Sequence, residues 1–253
     1  MKNIFTLVLS FFILISCSLF SKKNGEVQNN QEKKLDSTVT QNNLTKEMRQ
    51  ASSPDDKNKI SDNDNGIKIL VFDKNSIPKD CEFKGNIIDG AKWKDKNGEN
   101  ILIVSNTPVT DINKKSEERE QRMFAYNYVS DGNNGYKLLW KIEDFSDSYC
   151  DVAAKSLPGT LEIIDVDGDG IAESLFIYKL EGRCDVSPMA VKLMMHSSST
   201  KLVIRGTTIV NPGGGQTYGG EKNFDTAFNS APKEFKSYAS KKWDKFIASY
   251  KDN

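Results

Sequence analysis

The nonapeptide Asp165-Val-Asp167-Gly-Asp169-Gly170-Ile-Ala-Glu173 gathers the densest oxygen chemistry of this 253-residue chain. Asp165, Asp167, Asp169 and Glu173 stand at its positions one, three, five and nine. Ile171, at position seven, is counted in the same ligand set, and Gly170 lets the backbone turn back. Calcium takes six to eight hard oxygen ligands, and acidic loops of this spacing supply them. A helix–loop–helix hand would need a Glu at position twelve, where this chain has Phe176. The flanks, Leu161–Ile164 and Leu175–Tyr178, read instead as strands. The competing reading is an acidic hairpin in which Asp and Gly only form the turn. Four carboxylates so close together repel one another without a cation. The sequence therefore points to a structural calcium ion in this loop.

A fainter version, Trp93-Lys-Asp95-Lys-Asn97-Gly98-Glu99-Asn100, lies earlier and also precedes an apolar strand. Its loop is shorter and less acidic, so it reads as a hairpin turn. The pair hints at an internal repeat. Catalytic machinery is sparse. His196 is the only histidine, which excludes zinc centres built on several imidazoles and leaves one residue for any Ser-His-Asp arrangement. No Ser occupies a Gly-x-Ser-x-Gly turn. The glycine-rich Asn211–Gly220 segment lacks the Lys-Ser/Thr of a phosphate loop and reads as a flexible connection. The expectation is a non-enzymatic protein. The alternatives are an enzyme of surface-glycan metabolism, with two carboxylates facing across a cleft about 5–10 Å wide outside the acidic loop, and a purely structural spacer.

The elements that must position these groups are mostly strands. Runs at Ile67–Phe72, Ile101–Ser105, Gln121–Val129, Tyr136–Ile142, Thr160–Asp165, Ser174–Leu180, Met189–His196 and Thr200–Arg205 are strand-like, several with polar and apolar residues alternating. Asp131-Gly-Asn-Asn-Gly135 reads as a hairpin loop between two of them. Near the carboxyl end Phe235, Tyr238, Ala239, Trp243, Phe246, Ile247 and Tyr250 recur at helical steps, and Pro232 suits a first turn. The pattern predicts a mainly β fold: an antiparallel meander or sandwich, or a partial propeller-like sheet, with one C-terminal amphipathic helix packed on it.

The amino terminus carries a different signal. Lys2 precedes an apolar run from Ile4 to Ile15, which ends in Leu14-Ile15-Ser16-Cys17. This resembles the signal peptide and lipobox of bacterial lipoproteins. The resemblance implies removal of residues 1–16, lipidation of Cys17 and attachment to a membrane. Ser18 after the cysteine is similar to sorting signals for the outer membrane. The run is too short to span a bilayer, which takes about 20 residues. Residues 17–66 then contain the lipidated cysteine and a polar, aromatic-poor stretch that reads as a disordered tether to a domain over 67–253. Without Lys2 the chain keeps 34 of its 35 basic residues against 35 acidic ones. A charge near −1 argues against nucleic acid as a partner. The acidic loop, for its part, resembles the strand–loop–strand calcium loops of integrin-like propeller repeats.

Several segments together resemble a family of exported bacterial surface polysaccharide biosynthesis proteins. They are Trp93, Asp95, Gly98 and Asn100; Phe124-Ala-Tyr126; Leu139-Trp140-Lys141; the acidic loop; Asp185-Val-Ser-Pro188; and an Arg205-Gly206 turn. The resemblance spans roughly residues 90–210. It implies an envelope protein tied to a surface glycan or another envelope protein, and no catalytic residue follows from it. A Cys stands before each of the Asp151 and Asp185 segments in the same pattern, which implies a Cys150–Cys184 disulfide and leaves Cys81 outside. Export to an oxidising compartment is consistent with such a bridge.

Overall fold

The structure is a computed structural model that describes residues 66–250 except 114. The signal peptide, Cys17 and the tether expected up to residue 66 lie outside the described residues, Gly66 excepted. Within them the protein is mainly β and wholly antiparallel, with a single C-terminal helix and no closed barrel.

The first sheet has six strands: β1 (Lys68–Leu70), β2 (Asn86–Asp95), β3 (Gly98–Asn106), β4 (Thr110–Asn113), β5 (Glu118–Ser130) and β6 (Tyr136–Ser148). β5 organises it, since β3 and β4 pair with successive stretches of β5 and β6 with nearly its full length. The second sheet contains β7 (Asp151–Ser156), β8 (Glu162–Ile164), β9 (Glu173–Arg183), β10 (Ala190–Ser197) and β11 (Thr200–Thr207). Its edge strand beyond β11 follows a separate hairpin, β12 (Ile209–Gly213) and β13 (Gln216–Gly219), and is β14 (Lys222–Phe224). A 3-10 turn, Thr226–Asn229, leads to α1 (Lys233–Ser249).

The two sheets pack face to face. Leu102, Val104, Met123, Ala125, Trp140 and Ile142 of the first meet Ala154, Phe176, Tyr178, Met194 and Val203 of the second. Of the expected sheet arrangements, the sandwich is the one adopted. Each outer face is covered as well. Phe235, Ala239 and Trp243, four residues apart along α1, close over Leu175, Ile177, Leu193, Met195 and Ile204. The segment between β1 and β2 brings Cys81, Phe72 and Ile77 over Ile101, Ile103, Phe124 and Tyr126. The central strands of both sheets are therefore buried on both sides. This is why Met123 to Val129 forms one unbroken buried run, where alternation suggested a half-buried strand. Each large apolar side chain so enclosed contributes about 1.5–3 kcal/mol.

Cys150 precedes β7 and Cys184 follows β9. The register pairs Asp151 with Arg183, so the two cysteines meet across the end of the ladder. They form a disulfide with a Cα–Cα distance of 5.1 Å, while Cys81 is a buried free thiol. Two expectations need correction. The glycine-rich segment is no slack connection: most of it forms the β12–β13 hairpin. Arg205-Gly206 is not a turn but lies within β11, paired to β10 and β14. Glycine is required there because a Cβ on Gly206 would stand 1.7 Å from the Glu221 carbonyl oxygen and 2.7 Å from the Trp243 ring.

Candidate metal centre

The acidic loop joins β8 to β9, as strand–loop–strand spacing predicted, and its carboxylates do three different jobs. Asp165 ties the turn: its two oxygens accept the Gly168 amide at 2.8 Å and the Gly170 amide at 2.9 Å. Asp169 accepts the Ile171 amide at 2.7 Å. Asp165, Asp167 and Glu173 converge, each offering an oxygen within 4.8 Å of the others. Asp169 does not join that cluster, and Ile171 flanks it. Gly170 adopts φ +83°, a conformation that disfavours a side chain.

Glu173 decides what this cluster can do. It is wholly buried at the start of β9, one oxygen accepts the Val166 amide at 2.8 Å, and Oε1 has no hydrogen-bond partner. Burial pushes its carboxyl up to about 7, with the Val166 amide and the Ser197 side chain opposing the rise and Asp167 and Asp165 adding to it. Burial also raises Asp167, with Asp169 and Asp165 contributing. An unpaired buried acceptor is costly, by about 1–3 kcal/mol or more when charged. A divalent cation at the convergence would satisfy Oε1 and remove the repulsion. A donor set made of oxygens suits calcium, magnesium or manganese and not zinc.

The turn between β2 and β3 docks on this loop, which spacing alone did not reveal. The Lys96 amide donates to the Gly170 carbonyl at 3.0 Å, and the Lys96 ammonium donates to the Asp169 carbonyl. Asp95 is the hub. Its Oδ1 accepts Asn97 N at 2.8 Å and Asn100 Nδ2 at 3.2 Å; its Oδ2 accepts Trp93 Nε1 at 2.9 Å and Ala172 N at 3.2 Å. Asn100 in turn accepts Asn127 Nδ2 at 3.3 Å. The fainter sequence echo is a hairpin turn, as expected. Its conspicuous residues build the support of the acidic loop on the opposite sheet.

Comparison with family models, curated proteins and solved structures finds no match for this chain. The chemistry must therefore be read from the site. His196 is buried near the end of β10, with its ring stacked on Trp140 at 3.8 Å. A cavity of about 440 Å³ lies between α1 and the segment before β8. Its one carboxylate, Glu162, is held by Lys242 at 2.7 Å. No helix among the described residues is long and apolar enough to cross a membrane.

Proposed function

We propose that this chain is a bacterial envelope lipoprotein, anchored through Cys17, whose β-sandwich is a non-enzymatic binding or accessory module for a surface glycan or an envelope protein. A calcium ion held by Asp165, Asp167 and Glu173 is structural: it locks the β8–β9 loop and, through that loop, the β2–β3 turn docked on it. The observation that carries the metal is the buried, unpartnered Glu173 Oε1 beside two further carboxylates. The anchor rests on Leu14-Ile15-Ser16-Cys17, and the Cys150–Cys184 pair suits the oxidising compartment that export implies.

Calcium titration followed by thermal melting tests the metal. A hundredfold excess over Kd is worth about 2.7 kcal/mol, or roughly 5–10 °C in a domain of this size. The Asp167→Ala variant, changed at an exposed position, loses that rise. An unchanged melting temperature in millimolar calcium sinks the metal site. Incorporation of labelled palmitate into wild type and not into Cys17→Ala tests the anchor, and glycan-array binding with and without chelator tests the partner.

A further inference from the structure

A second polar site lies at the rim of the sandwich, where β2 and β7 leave a gap between the sheets. It is a cavity of about 390 Å³ lined by Ile88, Asp89, Asn106, Lys155, Ser156 and Pro158. Small-ligand cavities span about 300–1,000 Å³. A bulge between Ile87 and Asp89 shapes it. The extra residue pushes Ile88 outward, to 42% exposure, and leaves Asp89 on the inter-sheet face that alternation assigns to Ala91 and Trp93.

The polar groups of this cavity are unusually short of partners. The Ser156 hydroxyl is buried and has none. Asp89 accepts only the neighbouring Gly90 amide, through Oδ1 at 2.9 Å. Among the described residues no side-chain hydrogen bond or ion pair engages Asn106 or Lys155. Nearby polar side chains behave differently: Gln121 bridges the sheets by donating to the Thr107 carbonyl and accepting the Ala154 amide, both at 2.9 Å. Ser156 is the buried one among them, and since buried polar groups are normally satisfied, its unpartnered hydroxyl facing a cavity marks a missing partner.

The chemistry narrows that partner. One carboxylate is too few for a hard cation, which needs six or more oxygens. One lysine and one aspartate in the lining leave no net positive charge to hold a phosphate. The carboxylate of Asp89, the amide of Asn106 and the hydroxyl of Ser156, with Lys155 exposed at the rim and the apolar surfaces of Ile88 and Pro158 beside them, fit a ring carrying several hydroxyls and a C–H face. We propose that the rim cavity binds one neutral pyranose unit of a glycan. The proposal names a ligand site for the envelope module and rests on that reading only for the origin of the sugar. A bulge and an inward charge also protect a free sheet edge, but that role uses neither Lys155 nor Ser156 and predicts no ligand.

The test is saturation-transfer NMR of the full-length chain with millimolar methyl α-glucoside, methyl β-galactoside, methyl glucuronide and glycerol. At least one neutral pyranoside is expected to bind, and glycerol is not. Asp89→Asn and the exposed Lys155→Met are each expected to weaken binding about tenfold, the loss of one charged hydrogen bond, while the melting temperature of Lys155→Met stays unchanged. Absence of neutral-pyranoside binding to folded wild type overturns the site. So does preference for the glucuronide, or binding unaltered in both variants. Repeating the measurement in chelator separates the two proposals, because the rim cavity uses no residue of the acidic loop. Sugar binding without any calcium-dependent melting shift would remove the metal and keep the cavity.

Discussion

The Asp95 carboxylate, in the β2–β3 turn of one sheet, accepts the amide of Ala172, in the β8–β9 loop of the other, at 3.2 Å. That single bond ties the acidic loop to a buried network running through Trp93, Asn100 and Asn127. Asp95 itself is 8% exposed. The acidic loop is thus braced from across the sandwich as well as by its own carboxylates.

Asp95→Asn replaces an acceptor of four donors with an amide that satisfies fewer of them. It is expected to destabilise the domain by about 1–3 kcal/mol, measured by urea unfolding. Because the loop loses one of its supports, the others being the Lys96 amide and ammonium, calcium is also expected to bind more weakly than in wild type. Asp95→Asn with wild-type calcium affinity would show that the loop holds its shape without Asp95.

His196 makes stability depend on pH. Burial, aided by the charge of Lys201, pulls its imidazole down to about 3 from 6.5. The folded state thus holds the ring neutral where the unfolded chain would protonate it. Its contribution is complete above pH 6.5 and is lost as the pH falls towards 3, at up to about 1.4 kcal/mol per unit. Glu173, pushed up to about 7, acts in the opposite sense, so the measurement is a difference. The unfolding free energy of wild type minus that of His196→Gln, followed from pH 8 to pH 5, is expected to decline below pH 6.5. A flat difference would refute the assignment.

The Cys150–Cys184 bridge encloses 34 residues of sequence separation, including β7, β8 and the acidic loop. On the chain-entropy model, replacing both cysteines with serine removes about 3–4 kcal/mol. Non-reducing mass spectrometry should detect a linked peptide pair. Burial pushes the Cys81 thiol up to about 11, so alkylation of Cys81 is expected only after denaturation. Rapid labelling of the native protein would contradict its burial.

Gly206→Ala places a methyl group against the Glu221 carbonyl and the Trp243 ring. The expected loss is about 1–3 kcal/mol from overpacking, read as a lower urea midpoint. Gly214→Ala, in the open β12–β13 turn with nothing within 4 Å of the added Cβ but with φ at +63°, should be milder. Equal effects would mean that the β14 contact yields easily.

Local chemistry made much of this legible in sequence. The Asp165–Glu173 spacing specifies a turn whose carboxylates fold back on its own amides, and that depends on neighbours a few residues away. The helical recurrence of Phe235, Ala239 and Trp243 likewise shows in the chain itself, because a helix repeats its face every turn. β2 and β7 were not apparent, since β2 carries Asp89 on the face it shares with Ala91 and Trp93, and the short β7 buries only Ala153, Ala154 and Ser156. Only the tertiary structure decided that Asp95 supports a residue 77 positions away, that the central strands of each sheet are covered on both faces, and that Asp89 and Ser156 share a cavity. These relationships arise from pairing between distant strands, whose register is set by what each sheet face buries, and no short window of sequence contains both partners.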